Sequence, residues 1–146
     1  QGDMPLIESK QIRRVLEPIK NNFLIGTIAT TLEENEKINP NITKVVIDWK
    51  NDIVGRATEF FRTKNRIEKN TFHHVGIYSF TKEALSNFVK LPKSKNEILL
   101  NLEQYRAMDA GINIGIIFEK DIPLSIDTKE DLITAESIIR AKNEKN

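Results

Sequence analysis

Hydrophobic and polar positions along the chain fall into segments of different period. In SKQIRRVLEPIK, Ile12, Val15, Leu16 and Ile19 recur at helical spacing behind Ser9, a suitable N-cap, and Pro18 predicts a kink or an end late in that helix. FLIGTIATTL is apolar and β-branched and predicts a strand, whereas EENEKINPN is polar and turn-prone. TKVVIDW and DIVGRAT predict two more strands, and the short gap across Trp49, Lys50 and Asn51 predicts a hairpin between them. Residues 58–71, TEFFRTKNRIEKNT, are charged and poorly periodic, so they read as a loop or a poorly ordered excursion.

HVGIYSF predicts a strand, and TKEALSNFVK a short helix with Leu85, Phe88 and Val89 on one face. Ser94 and Glu97 form a capping-box pattern ahead of ILLNLEQYRAMDAG. Ile98, Leu102 and Tyr105 line one face of that helix, and Gly111 suits its C-terminal cap. INIGIIF has the isoleucine content of a buried strand. Thr128 and Asp131 predict the cap of a last helix whose Leu132, Ala135, Ile138 and Ile139 face inward, and the tail AKNEKN is expected to fray. Strands alternate with helices and include a hairpin, which predicts an α/β fold with a mixed sheet.

Composition narrows the functional classes. The 146 residues fit a single domain spanning 1–146, and a chain of that length can bury a real core. Lys and Arg number 22 against 21 for Asp and Glu, so charge gives no case for nucleic acid or a membrane surface as partner. The absence of cysteine excludes disulfides, zinc-thiolate sites and a catalytic thiol. No apolar run is long enough to span a bilayer and no signal peptide opens the chain, so a cytoplasmic protein is the expectation.

Phosphate-loop, dinucleotide and HExxH zinc motifs are absent, and the serines lack a nucleophile-elbow context. Two aspartates stand out on position. Asp3, in QGDMPL, reads as lying just past a strand end, and Asp127 follows Leu124, Ser125 and Ile126 at the entrance to the last helix. Ligands collect at the carboxyl ends of strands in open α/β sheets, and two carboxylates meeting there would suit Mg²⁺. Asp is also a common turn and cap residue, and nothing local shows that the two meet. Alternation sends His73 and His74 to opposite strand faces, while Tyr78, four residues after His74, shares its face and can complete one wall of a polar pocket. Glu103 and Gln104 read as a solvated helix face, and Arg56 as an anion ligand or a surface arginine.

These residues also occur in a familiar order. QGDMPL, NPNITKVVID, GRAT, HVGIYSF, LEQYRAMDAG and SIDTKEDL resemble, in sequence, the motifs of the 3-deoxy-manno-octulosonate cytidylyltransferases (CMP-KDO synthetases), and together they span nearly the whole chain. Met4, Gly55 and the pair Glu59-Phe60 depart from that family's usual residues. The resemblance implies a partial Rossmann-like nucleotidyltransferase fold. It makes the chain the C-terminal, sugar-binding and dimerisation portion of such an enzyme, without the N-terminal nucleotide-binding segment. The implied reaction transfers CMP from CTP to 3-deoxy-manno-octulosonate, releasing pyrophosphate, for the inner core of lipopolysaccharide. Asp3 and Asp127 match the catalytic aspartates that hold Mg²⁺. Gln1, Arg56, His74, Tyr78, Glu103 and Gln104 match positions around the sugar acid, with Arg56 or His74 expected to meet its carboxylate. A homodimer is implied for the complete protein. The resemblance leaves open whether this chain turns over by itself. A truncated remnant, or half of a split enzyme acting as a sugar-binding and dimerisation module, is the alternative; a sialic acid cytidylyltransferase fits less well.

Overall fold

The computed structural model of the chain describes residues 4–122, 125–126 and 128–143. The amino-terminal helical pattern is realised as two short helices, α1 (Ser9–Arg14) and α2 (Glu17–Lys20). Pro18 lies in the first turn of α2, where its missing N–H is harmless, so the pattern breaks ahead of the proline and restarts. The N-cap of α1 is Glu8 rather than Ser9, with reciprocal Glu8–Gln11 bonds. The inward face is also rotated from the expected one. Gln11, Val15 and Pro18 are buried while Ile12 and Leu16 are exposed, because the Gln11 amide reaches the Asp121 carbonyl at 2.9 Å.

Five strands follow: β1 (Ile25–Thr30), β2 (Lys44–Trp49), β3 (Val54–Phe61), β4 (Thr71–Phe80) and β5 (Ile114–Phe118). Glu34–Glu36 forms a 3-10 turn between β1 and β2. The strands close into a ring in the order β1-β4-β2-β3-β5. β5 lies parallel to β1 and the other pairings are antiparallel, so the sheet is mixed, as the alternation of elements implied. The expected hairpin joins β2 to β3, with the Asn51 side chain accepting from the backbone N–H groups of Ile53 and Val54.

Residues 58–61 correct the loop expected there: they are the second half of β3, and Phe60 and Phe61 are buried. The pairing shifts between Val46 and Ile47, so that Thr58 is an extra residue in β3. Its hydroxyl donates to the Val46 carbonyl at 3.1 Å. Such a bulge breaks the two-residue alternation, which is why the period was hidden in the sequence.

Helices cover both faces of the sheet. Ile25, Ala29, Val45, Phe60, Ile114 and Ile116 face Ala84, Leu102 and Ala107 of the later helices, α3 (Lys82–Phe88), α4 (Lys95–Leu100) and α5 (Gln104–Asp109), with Leu102 in the link before α5. Ile28, Val54, Val75 and Ile117 face Val15 and Phe23. The helix expected over ILLNLEQYRAMDAG is divided at Asn101, whose φ of 52° ends α4; asparagine tolerates that left-handed conformation. Ser94 and Glu97 make the expected capping box, and Gly111 takes φ 77° after α5. α6 (Lys129–Asn143) has the Thr128–Asp131 cap, but of its expected inward positions only Ala135 is buried; Leu132 and Ile139 are exposed. Leu85 of α3 and Val89, which ends it, are exposed as well.

Gly26 and Gly115 are register partners on β1 and β5 and form a flat seat for α2. A Cβ on Gly115 would lie 2.6 Å from the Pro18 side chain and 2.5 Å from the Phe23 ring. Gly115→Ala is therefore expected to destabilise the chain by about 1–3 kcal/mol, as overpacking does, read as a lower urea midpoint at an unchanged slope.

Candidate functional site

A bulge positions the site. Thr27 pairs with Tyr78, but the next residue, Ile28, pairs with Val75, so β4 carries two extra residues, Gly76 and Ile77. Two extra residues preserve the facing, and the His74 and Tyr78 rings meet with centroids 5.5 Å apart, as their spacing predicted. The bulge displaces backbone carbonyls, and the Thr27 hydroxyl lies 3.1 Å from Val75 O and 2.8 Å from Ile77 O. Its third neighbour is His74 Nε2 at 3.0 Å. The single hydroxyl hydrogen is directed at the carbonyls, so Thr27 accepts from Nε2–H. This makes His74 the Nε2–H tautomer, with a lone pair on Nδ1.

His74 is buried against the edge of Phe60, with centroids 4.9 Å apart. Burial, aided by the neighbouring His73, pushes its pKa down to about 3, so the ring is neutral at ordinary pH. This corrects the expectation that His74 supplies a cation or N–H to a carboxylate: its Nε2–H is used by Thr27, and it offers an acceptor. Burial, with the charge of Glu103 adding to it, pushes the Tyr78 phenol up, so its hydroxyl keeps its proton.

His74, Tyr78, Glu103 and Gln104 line one cleft of about 1040 Å³. Four of the residues singled out in the sequence are thus brought together from β4 and the start of α5. Gln104 is only 9% exposed, yet its amide has no hydrogen bond among the described residues. The same holds for the Tyr78 hydroxyl and for His74 Nδ1. Buried polar groups are normally paired, and none of these atoms is sealed off, so each can take a partner from the cleft.

Arg56 lies elsewhere. Its guanidinium donates to Asp48 at 3.1 Å in an exposed pair, and it does not line the cleft. The cleft arginine is Arg62, six residues on, inside the segment read as a loop. Its Nη1 donates to the Pro40 and Asn41 carbonyls, both at 3.3 Å. Fully buried Lys44 reaches the Arg62 carbonyl at 2.6 Å and the Asn39 carbonyl, tying the two chain segments together; burial holds its ammonium below the usual lysine pKa. His73 faces Glu36 at 2.9 Å on the same wall. Sequence reading missed Arg62, Lys44, Thr27 and Glu36. Thr27 shares a strand face with Ile25 and Ala29 and reads like any core strand residue.

Gln1, Asp3 and Asp127 lie outside the described residues. Among the described residues there is no group of three or more His, Asp or Glu side chains able to hold a metal ion. Met4, Ser125 and Thr128 line the cleft.

Residues 1–132 match the model of the family described as cytidylyltransferase. The chain belongs to the cytidylyltransferase family. A 3-deoxy-manno-octulosonate cytidylyltransferase of Agrobacterium fabrum is 38% identical over 145 residues, covering 97% of this chain and 58% of the relative. One from Rhizobium meliloti is 40% identical over 146 residues, with the same coverage. One from Nitrobacter winogradskyi is 41% identical over 142 residues, covering 95% of the chain and 56% of the relative. This cytidylyltransferase chain therefore spans a little over half the length of the curated relatives it matches. A solved CMP:2-keto-3-deoxy-manno-octonic acid synthetase complexed with CTP superposes with a TM-score of 0.84 at 27% identity, over 97% of this chain and 60% of that one. The two share their fold, as the sequence motifs implied. Among the described residues no helix is long and apolar enough to cross a membrane.

Proposed function

We propose that this chain carries the sugar-acid side of a cytidylyltransfer: CMP passes from CTP to 3-deoxy-manno-octulosonate and pyrophosphate leaves. The carrying observation is a set of polar groups on one cleft that have no partner among the described residues, His74 Nδ1, the Tyr78 hydroxyl and the Gln104 amide. A polyhydroxylated ligand needs this mixture of acceptor, donor-acceptor and amide. The names of the relatives supply the particular sugar acid. Lipopolysaccharide inner-core synthesis, a cytoplasmic location and a homodimer belong to the same reading, and exposed Ile98 and Leu99 on α4 offer apolar surface for a partner copy.

In this reaction the sugar's anomeric hydroxyl oxygen bonds to the α-phosphorus of CTP. The bond from that phosphorus to the bridging oxygen of the leaving pyrophosphate breaks, and the hydroxyl proton passes to water. Bound Mg²⁺ would activate the hydroxyl and offset charge on the phosphates. Asp3 and Asp127 are the residues we assign to hold it, on the motif resemblance and because their described chain neighbours Met4 and Thr128 line the cleft. A ring with a pKa of about 3 is a poor base, so His74 orients the sugar by accepting a hydroxyl hydrogen rather than removing the reacting proton. Tyr78 and Gln104 add donors, and the Arg62 guanidinium meets the sugar carboxylate.

Calorimetric titration with 3-deoxy-manno-octulosonate tests this. Arg62→Met is expected to weaken binding about tenfold or more, the scale of a lost charge-assisted hydrogen bond, while Arg56→Met leaves it within about twofold. The opposite pattern would return the carboxylate to Arg56. Absence of binding by the unaltered chain, together with no pyrophosphate release from CTP, Mg²⁺ and the sugar acid, would sink the reading.

A further inference from the structure

Arg106 on α5 is not used by the cleft described above, yet it is the hub of the link between α4 and α5. Its Nε donates to Glu97 Oε2 at 2.8 Å, and its Nη2 to Glu97 Oε1, a two-pronged grip on a buried carboxylate. Nη2 also reaches Glu103 Oε1 at 3.1 Å. The guanidinium stacks 5.0 Å from the centroid of the Phe88 ring, itself part of the cleft wall. Glu97 is fixed in turn, because its carboxylate accepts the Ser94 N–H at the cap of α4. The guanidinium holds Glu97 below the usual carboxylate range, so the grip persists in mild acid.

Glu103 lacks such support of its own. Its side chain is 69% exposed and caps nothing, although it stands at the N-cap of α5. The chain reaches it through the left-handed turn at Asn101. A long exposed side chain there would sample several rotamers, and ordering it on binding carries an entropy penalty. One charge-assisted bond from a guanidinium that is itself immobilised by Glu97 and Phe88 removes much of that penalty. It also offsets negative charge where an anionic sugar acid must approach.

We propose that Arg106 is a positioning residue: it holds the Glu103 carboxylate at the cleft, leaving Glu103 Oε2 for a sugar hydroxyl, and so sets sugar-acid affinity. This rests on the sugar-acid reading above. The chain contains its own control. Asn96 Nδ2 donates to Asp109 Oδ1 at 2.9 Å, a second tie between α4 and α5 that touches neither Glu103 nor Arg106.

The experiment measures affinity for 3-deoxy-manno-octulosonate by calorimetry beside the thermal midpoint. Arg106→Lys, which keeps the charge but loses the fork, is expected to weaken binding about tenfold, with Glu103→Gln similar. Acting through one group, the double variant should be no weaker than the poorer single variant rather than about a hundredfold down. Asn96→Ala should lower the midpoint yet leave affinity within about twofold. Arg106→Met, which keeps its stem over Phe88, replaces Arg106→Lys should the lysine variant not fold. Affinity unchanged in the Arg106 variants, losses that multiply in the double variant, or an equal loss in Asn96→Ala would each overturn the positioning role alone. No binding by the unaltered chain would overturn the sugar-acid reading and this inference with it.

Discussion

Acidifying the chain from pH 6.5 to 4.5 is expected to remove about 2 kcal/mol of stability through His74 alone, because the unfolded ring is half protonated at the start of that window and each further pH unit approaches about 1.4 kcal/mol. The folded ring takes up a proton only near pH 3, because protonation would place a charge in a buried site beside Phe60 and His73. In the unfolded chain the ring protonates near its ordinary value of 6.5. The unfolded state therefore binds more protons between those two values, and stability falls as pH falls through that window. A pH unit or more above 6.5 neither state is appreciably protonated and the His74 slope vanishes. Urea midpoints at pH 7.5, 6.5, 5.5 and 4.5, for the unaltered chain and His74→Gln, measure it. The glutamine can still donate to Thr27 but does not titrate, so its profile should lose most of this slope. Carboxylates such as Glu97 and Asp109, both held low by hydrogen-bond partners, begin to lose their contribution only near their ordinary values of 4.5 and 3.8, so they add at most the onset of a slope at the acid end of this window. Equal slopes in the two proteins would show that the His74 ring is hydrated and free to protonate.

Phe60→Ala is expected to destabilise the chain by about 3–5 kcal/mol, the range for removing a buried phenylalanine that leaves a cavity. Phe60 is 0% exposed and belongs to the larger core cluster with Val45, Ile47 and Leu102. Relaxation there is limited because the backbone is held from both sides. Phe60 pairs with Val45 of β2, while the Tyr105 hydroxyl donates to Phe60 O at 2.8 Å and accepts from its N–H at 3.2 Å. The cavity would adjoin His74, so water reaching it should raise that ring's pKa toward 6.5 and flatten the acid slope as well. Equilibrium urea unfolding gives the first quantity and its pH dependence the second. A loss below about 1 kcal/mol would mean that the segment packs loosely, as its charged flanks suggest.

Those two residues mark how far the sequence could be read. The β-branched runs at 25–30, 44–49 and 114–118 announced their strands because strands buried on both faces are apolar at successive positions. Capping at Ser94 and Thr128 and the Gly111 cap were legible because each depends on neighbours within three or four residues. Phe60 was not legible, since the bulge at Thr58 reverses the alternation and surrounding charges hide it. The helix faces at Ile12, Leu85 and Leu132 were misjudged because period shows that a face exists, not how much of it another layer covers.

For the candidate site the division is similar. Six local motifs in order were enough to place the chain in its family, and the spacing of His74 and Tyr78 was enough to put both rings on one wall. Each of those properties is carried by a short stretch of chain. The arginine of the cleft is Arg62 and not Arg56, and that was settled by pairing: Asp48 lies opposite Arg56 across the hairpin, while Lys44 and the carbonyls of residues 39–41 hold Arg62 toward the cleft. The charge state of His74 was likewise decided by burial in the folded sheet, with Phe60 against its ring, and its tautomer by Thr27, both far from it in sequence. Which residues are present, and on which local element, is written in the sequence. What each can do depends on the dielectric and the hydrogen-bond partner it meets, and only the closed sheet brings those into place.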